Sequence, residues 1–323
     1  MNGSARGFAL PKTKPLMLKN QTIIITGASS GIGEAIARRL ARANANTNLV
    51  LFARRADRLA ALCAELNATA PATTTARQRP IENPKSKIEN PTILAVAGDI
   101  TIPADRERLV RVTLEKFGRI DALVNNAGYG QRGPLERIPV ETLRANFETN
   151  VFSLVALTQL VAPHMRAQGA GRIINTGSVA GRITRPLSSA YDSTKFALEA
   201  ITTGLRGELK PFGIQVILVR PGFIRTEFGQ VAETISAQVY ANAGPYAPYL
   251  DYFEANRAKL RRVAGVPDDI ARLIEKALTA RHPRRCYNGP LHAKFFLFLK
   301  WLLPARLLDW PLRMKKVARA SSP

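Results

Sequence analysis

Cysteine is almost missing from this 323-residue chain: Cys63 and Cys286 stand far apart and in no CxxC pair. That excludes a disulfide scaffold, an iron–sulfur cluster and a zinc finger, and it fits free thiols in a reducing compartment. Histidine is nearly as scarce, with three residues. His282 and His292 lie near the C-terminus and His164 follows Pro163 in a helical stretch, so no metal-ligating set emerges and no metal is expected. No apolar run reaches the roughly 18 residues of a confident membrane span. The basic arm 1–20 offers only Leu16-Met17-Leu18, too short for the core of an export signal. Acidic residues are few, twenty-four against forty-seven lysines and arginines, for a net charge of +23. An acidic disordered chain is thereby excluded, and anionic partners come forward: nucleic acid, lipid headgroups or a phosphorylated cofactor. No nucleic-acid-binding motif accompanies the charge, so nucleic acid is not an expected partner.

Against these absences stands a hydrophobic fraction of 46%, ample for a packed core. The length fits one large α/β domain with additions. Apolar runs at 22–26, 48–53, 92–97, 120–125, 172–176 and 214–219 predict strands. Between them, stretches at 32–43, 57–67, 103–117, 140–168 and 190–211 carry helical period. Helical crossovers between successive strands imply a Rossmann-like, doubly wound parallel sheet with helices on both faces.

One segment breaks the rhythm. Residues 69–91 contain four prolines and the repeat Ile81-Glu82-Asn83-Pro84 and Ile88-Glu89-Asn90-Pro91, and read as a disordered surface insertion. After Pro221 the pattern changes to a loop with a short helix at 224–241, an aromatic-rich stretch at 246–253 and a helix at 267–279. The chain thus divides into the arm 1–20, an α/β domain 21–289 with a substrate lid at 224–262, and a C-terminal helical extension at 290–323.

Directly after the first strand comes Thr26-Gly27-Ala28-Ser29-Ser30-Gly31-Ile32-Gly33, followed at once by a helix. Glycines at this place let the backbone turn tightly and approach a pyrophosphate, whose charge meets free N–H groups and the positive helix end. The spacing is GxxxGxG, and a turn with a close helix–strand contact would use the same glycines. The end of the second strand carries Arg54-Arg55 where an acid would bind the ribose hydroxyls of NAD. A guanidinium there suits a 2′-phosphate, which favours NADP(H) over NAD(H), unless both arginines simply begin a solvated helix.

From about Asn20 to Thr226 the chain resembles the short-chain dehydrogenase/reductase family. The resemblance rests on Thr26 to Gly33, Asp99, Asn125-Asn126-Ala127-Gly128, Asn150, Ser178, Tyr191 with Lys195, and Pro221-Gly222 falling in the family's order. The steroid- and retinol-type members are the most similar. It implies a cofactor site built from Gly27, Ser29, Ser30, Gly31, Ile32, Gly33, Arg54, Arg55, Asp99, Ile100, Asn126, Ala127, Gly128, Tyr191, Lys195, Pro221, Gly222, Ile224 and Thr226.

Tyr191 and Lys195, four residues apart, share one face if their segment is helical. Free tyrosine titrates near 10 and is a poor base, but lysine and an oxidised nicotinamide favour phenolate. The resemblance implies catalysis by Asn150, Ser178, Tyr191 and Lys195. Tyr191 is then the acid/base, Ser178 polarises the substrate oxygen, Lys195 binds ribose and depresses the tyrosine, and Asn150 holds a water behind the lysine. Asp192 departs from the small residue usual after the tyrosine. The reaction class implied is hydride transfer between a carbonyl and a primary or secondary alcohol, without a metal. The four-residue spacing argues against an enoyl reductase.

Phe228, Val231, Tyr240, Tyr246, Tyr249, Tyr252 and Phe253 suggest an apolar lid for a lipophilic substrate, or else a subunit contact in a homo-oligomer. The tail sets Phe295-Phe296-Leu297-Phe298-Leu299 among cations, ten between 281 and 319 against the single acid Asp309. That composition suits peripheral membrane contact through 290–317, and equally a tail folded over the cleft. The implied location is cytoplasmic, with membrane association as the open variant. A competing class, a retired scaffold binding lipid or nucleic acid, is disfavoured by intact Ser178, Tyr191 and Lys195.

Overall fold

The computed structural model describes residues 21–43, 47–69, 92–250, 253, 262–304 and 306–307. The expected arm at 1–20, nearly all of the insertion at 69–91, most of the lid beyond 250 and the tail beyond 307 lie outside the described residues.

Among the described residues seven strands form one parallel sheet in the order β3-β2-β1-β4-β5-β6-β7. They are β1 (Gln21–Thr26), β2 (Thr47–Ala53), β3 (Ile93–Ala97), β4 (Ala122–Asn125), β5 (Gly171–Thr176), β6 (Ile214–Pro221) and β7 (Cys286–Gly289). All six residues of β1 are buried, as expected when both faces of a parallel sheet are covered. The order reverses between β1, which runs beside β2 from Gln21↔Thr47 to Thr26↔Phe52, and β4, which lies on its other side. A crevice opens at the carboxyl ends of the strands there.

The crossovers are α1 (Gly31–Ala43), α2 (Ala56–Thr69), α3 (Pro103–Phe117), α4 (Val140–Phe147), α5 (Ser153–Ala167), α6 (Ser189–Leu209), α7 (Phe228–Ala241) and α8 (Pro267–Thr279). A terminal helix, α9 (Leu291–Leu302), follows β7. One core packs Ile36 and Leu40 of α1, Leu59 of α2 and Ile270 and Ile274 of α8 against the sheet. The opposite core joins Leu109 of α3, Leu157 and Val161 of α5 and Leu209 of α6. Six strands and most helices thus stand within a residue or two of the sequence expectation.

Three features differ. β7 has the sequence Cys-Tyr-Asn-Gly, with no apolar run, and exists because the edge of β6 offers unpaired backbone from Leu218 to Pro221. The helix expected over 140–168 is broken by a π-helical turn, Glu148–Phe152, that carries Asn150. The helix expected from 224 starts at Phe228, because Ile224 bridges to Gly265.

Among the described residues the largest fully buried side chain is Arg172 on β5. Its guanidinium donates to the carbonyls of Ala277 (2.8 Å), Leu278 and Ala280 (2.5 Å), the open C-terminal end of α8, and its Nε to Gln215 (2.8 Å). A cation is well placed there, since the helix end carries partial negative charge and buried carbonyls need donors. Burial nonetheless pulls the guanidinium down to about 10. Arg172→Met is expected to lower unfolding free energy by roughly 3–5 kcal/mol, the cost of stripping donors from buried acceptors. Urea denaturation measures it, and a loss below about 1 kcal/mol would mean those carbonyls find other partners.

Candidate active site

The glycine turn is held by a clasp between two strand ends. Thr26 Oγ1 accepts from the N–H groups of Asn126 (2.9 Å) and Ala127 (3.1 Å), and Asn126 Nδ2 donates back to the Thr26 carbonyl (3.1 Å). The turn lies so close to β4 that a Cβ on Gly27, whose φ is +67°, would sit 3.0 Å from Ala127 Cα. A Cβ on Gly33 would come within 2.2 Å of the Gly27 carbonyl oxygen. These positions admit no side chain, and Ser29, Ser30, Gly31 and Ile32, at the start of α1, line the cleft. A dinucleotide pyrophosphate fits this cradle: short-side-chain backbone, a helix N-terminus and adjoining cations.

The cleft encloses about 360 Å³, within the range of small-molecule sites. All the cofactor-site residues expected from sequence line it except Gly33, which acts from behind the turn. At one end Arg55 donates to Ser29 Oγ (3.2 Å) and Ser30 Oγ (2.5 Å). Arg55 and Arg58 both pair with Glu227, at 2.9 and 2.7 Å. Arg54, three-quarters exposed, approaches Asp99 at 3.8 Å. Asp99 itself accepts from Thr101 N–H (2.9 Å) and Thr101 Oγ1 (2.8 Å), which shapes the turn containing Ile100. Glu227 and Arg58 were not legible as site residues, because the loop that brings Glu227 to the end of β2 crosses over from after β6.

At the other end Ser178, Tyr191 and Lys195 meet. Ser178 follows β5, and its Oγ accepts from Ala180 N–H (3.1 Å). Tyr191 and Lys195 project from one face of α6, with the lysine Nζ 5.8 Å from the tyrosine ring centre. Lys195 is nearly buried and donates to the Thr176 carbonyl at 2.9 Å. Asn150 lies behind it: a Cβ on Gly128 would stand 2.9 Å from Asn150 Oδ1 and 4.0 Å from Lys195 Nζ. The Asn150 amide donates to the Tyr129 carbonyl (2.9 Å) and Thr194 Oγ1 (3.1 Å), and its oxygen accepts from Tyr129 N–H (3.0 Å). It thus pins the strand-four loop, a role its sequence position did not indicate.

Burial governs the protonation of this cluster. Desolvation pushes Tyr191 up to about 12, against the downward pull of its hydrogen bond with Ser178. Desolvation also brings Lys195 down to about 8. The tyrosine depression expected from sequence is therefore not present in the chain alone, where burial favours neutral phenol and weakens the ammonium. Asp192 is fully buried, accepting from Arg185 N–H at 2.9 Å, and its charge further raises Tyr191.

Of the aromatic lid, Phe228 and Val231 line the cleft, and the Phe228 ring meets Tyr191 edge-on at 5.5 Å. Tyr240, on the last turn of α7, and Tyr246, Tyr249 and Phe253 beyond that helix do not border it, and Tyr252 lies outside the described residues. His292, without a metal set among the described residues, accepts from Phe223 N–H at 2.9 Å and so braces the Pro221-Gly222 turn from behind.

Burial holds the Asp192 carboxyl up at about 6 from an ordinary 3.8. Below the lower value both folded and unfolded chains keep the proton; between the two only the folded chain keeps it, so the charge penalty grows with pH and is complete above about 6. It amounts to about 3 kcal/mol. Wild type should therefore lose about that much stability relative to Asp192→Asn as pH rises from 4 to 7. Urea unfolding at each pH checks this, and a constant offset between the two proteins would overturn it.

Comparison with known proteins agrees with the fold. The short chain dehydrogenase family model matches residues 21–78 and 72–235. An uncharacterized oxidoreductase of Bacillus subtilis, YusZ, is 32% identical over 267 residues, covering 82% of this chain and 87% of that protein. The NADPH-dependent 3-dehydrocapnine reductase of Ornithobacterium rhinotracheale is 33% identical over 199 residues, 59% of this chain and 68% of the relative. A short-chain dehydrogenase structure from Streptomyces avermitilis superposes with a TM-score of 0.67 at 28% identity, covering 90% of this chain and 96% of that one. The family match spans well over half of the sequence, and the fold accords with that of solved relatives: this chain belongs to the short-chain dehydrogenase family of oxidoreductases.

Proposed function

We propose that the protein is an NADP(H)-dependent oxidoreductase that interconverts a carbonyl and a primary or secondary alcohol on a lipophilic substrate. The observation that carries this reading is that one cleft holds Ser178, Tyr191 and Lys195 at one end and the glycine turn with Arg54 and Arg55 at the other. The cradle of Gly27 to Gly33 would bind the pyrophosphate, and Lys195 the nicotinamide ribose. When bound, the nicotinamide supplies or accepts the hydride.

Tyr191 Oη gives its proton to the carbonyl oxygen in reduction and takes it from the hydroxyl in oxidation. A phenol held neutral by burial is suited to the donating direction. Ser178 Oγ holds the same oxygen, and Asn150 keeps the loop beside Lys195 in place. The edge of Phe228 and the side chain of Val231 give the tyrosine end of the cleft an apolar wall, which excludes water and suits a hydrophobic substrate.

The preference for NADP(H) is supported by Arg55 and Arg58, which already hold an anion, the Glu227 carboxylate, at the end of β2. A relative whose name states NADPH dependence is consistent with it.

Tyr191→Phe is expected to bind NADPH as wild type does and to turn over hydrophobic aldehydes and ketones roughly 10²–10⁴-fold more slowly, the usual worth of a positioned acid/base. Fluorescence titration and a substrate panel measure both, and undiminished turnover would refute the mechanism. For Arg54→Ala/Arg55→Ala, the Kd for NADPH should rise about tenfold or more while that for NADH changes little, since only the former loses charge-assisted bonds. Equal weakening of both cofactors would end the 2′-phosphate assignment.

A further inference from the structure

Helix α9 is held to the body by one face and, among the described residues, leaves the other uncovered. Ala293 is fully buried, and His292 is bonded to Phe223 and stacked on its ring at 5.9 Å. On the opposite side Leu291, Phe295, Phe298 and Leu302 recur at spacings of four, three and four, which places them in one row along the helix. They are 78%, 57%, 52% and 56% exposed, and Trp301 beside them is 78% exposed. An apolar row of this size on a helix that is already docked is not a core awaiting its own chain among the described residues.

The charge around it selects the occupant. From Arg281 to Leu307 the chain carries Arg281, Arg284, Arg285, Lys294, Lys300 and Arg306, and no acid. Two copies meeting through this face would bring like charges together at low dielectric. A negatively charged lipid surface supplies the complement, and phenylalanine, tryptophan and lysine on one short helix are the residues that partition into a headgroup layer. At twelve residues α9 is about 18 Å long, well short of the roughly 30 Å hydrocarbon core, and among the described residues no helix is long and apolar enough to cross a membrane.

We infer that α9 is an interfacial anchor that lays its Leu291–Phe295–Phe298–Trp301 face into an anionic bilayer surface. Because His292 and Ala293 pack directly behind Gly222, the anchored helix also supports the turn that borders the cleft. The bilayer thereby lies beside the element that carries Ile224, Thr226 and the start of the lid. This inference does not depend on the cofactor or substrate assigned above, and its test uses no turnover.

The full-length protein is mixed with sucrose-loaded vesicles of phosphatidylcholine containing 30% phosphatidylglycerol, or of phosphatidylcholine alone, and sedimented. Wild type should pellet with the anionic vesicles at least tenfold more strongly than Phe295→Ser/Phe298→Ser/Trp301→Ser. Pelleting should weaken with added salt and in Lys294→Glu/Lys300→Glu. Circular dichroism and thermal unfolding verify that these surface variants remain folded. In a Trp310→Phe background, which leaves Trp301 as the single tryptophan, emission should shift to the blue on vesicle addition. Equal pelleting of wild type and the triple serine variant, an unshifted Trp301 spectrum, or wild type remaining in the supernatant would overturn the inference. A wild-type dimer in sedimentation velocity that the triple variant dissolves, without vesicle binding, would assign the face to a second copy instead.

Discussion

The clasp between the ends of β1 and β4 is the constraint from which the site follows. Thr26 accepts two backbone N–H groups from Asn126 and Ala127, and Asn126 returns a bond to the Thr26 carbonyl. These bonds join the strands on either side of the order reversal, where no crossover helix can lie and a crevice must open. Once the strand ends are joined, Gly27 and Gly33 have no room for a Cβ. The first helix then begins close against the sheet, with Gly31 and Ile32 lining the crevice. Asn125 extends the tie inward through Asn175 (3.0 Å), and Asn175 reaches Thr202 of α6 (3.0 Å), the helix that carries Tyr191 and Lys195. The glycine-turn end and the Ser178–Tyr191–Lys195 end of the cleft are thus tied to one polar ladder through the sheet.

The Ser178–Tyr191–Lys195 end of the cleft is built by burying ionisable groups. Tyr191, Asp192 and Lys195 all pay a desolvation cost, and each is displaced toward its neutral form. Such displacement within a concave site is characteristic of groups with a chemical task. Asp192 has a structural share in it, since its carboxylate fastens Arg185 and so the 182–188 loop to the start of α6. The departure seen in the sequence, an acid next to the tyrosine, is therefore a loop anchor that also tunes its neighbour.

Much of the fold was legible because parallel strands covered on both faces read as continuous apolar runs, and six of the seven did so. β7 was not, since Cys-Tyr-Asn-Gly has no such run and pairs only because β6 presents an edge. The π-helical turn at Asn150 was hidden inside an uninterrupted helical pattern. Arg172 reads as a polar residue in a strand, and its partners, the last carbonyls of α8, lie more than a hundred residues away. In the site, the glycine turn, Ser178, Tyr191 and Lys195 were legible as motifs. Glu227 was not, because its meaning comes from Arg55 and Arg58 across the cleft.

By itself the sequence determined the parallel sheet, the place of the glycine turn and the residues of the Ser–Tyr–Lys cluster, since these depend on periodicity, on backbone freedom and on residue type at short spacing. Tertiary structure alone decided the protonation balance of that cluster, the anion held by Arg55 and Arg58, and which face of the terminal helix is covered. The reason is common to all three: each depends on what is buried beside what, and burial brings together residues whose separation along the chain carries no pattern.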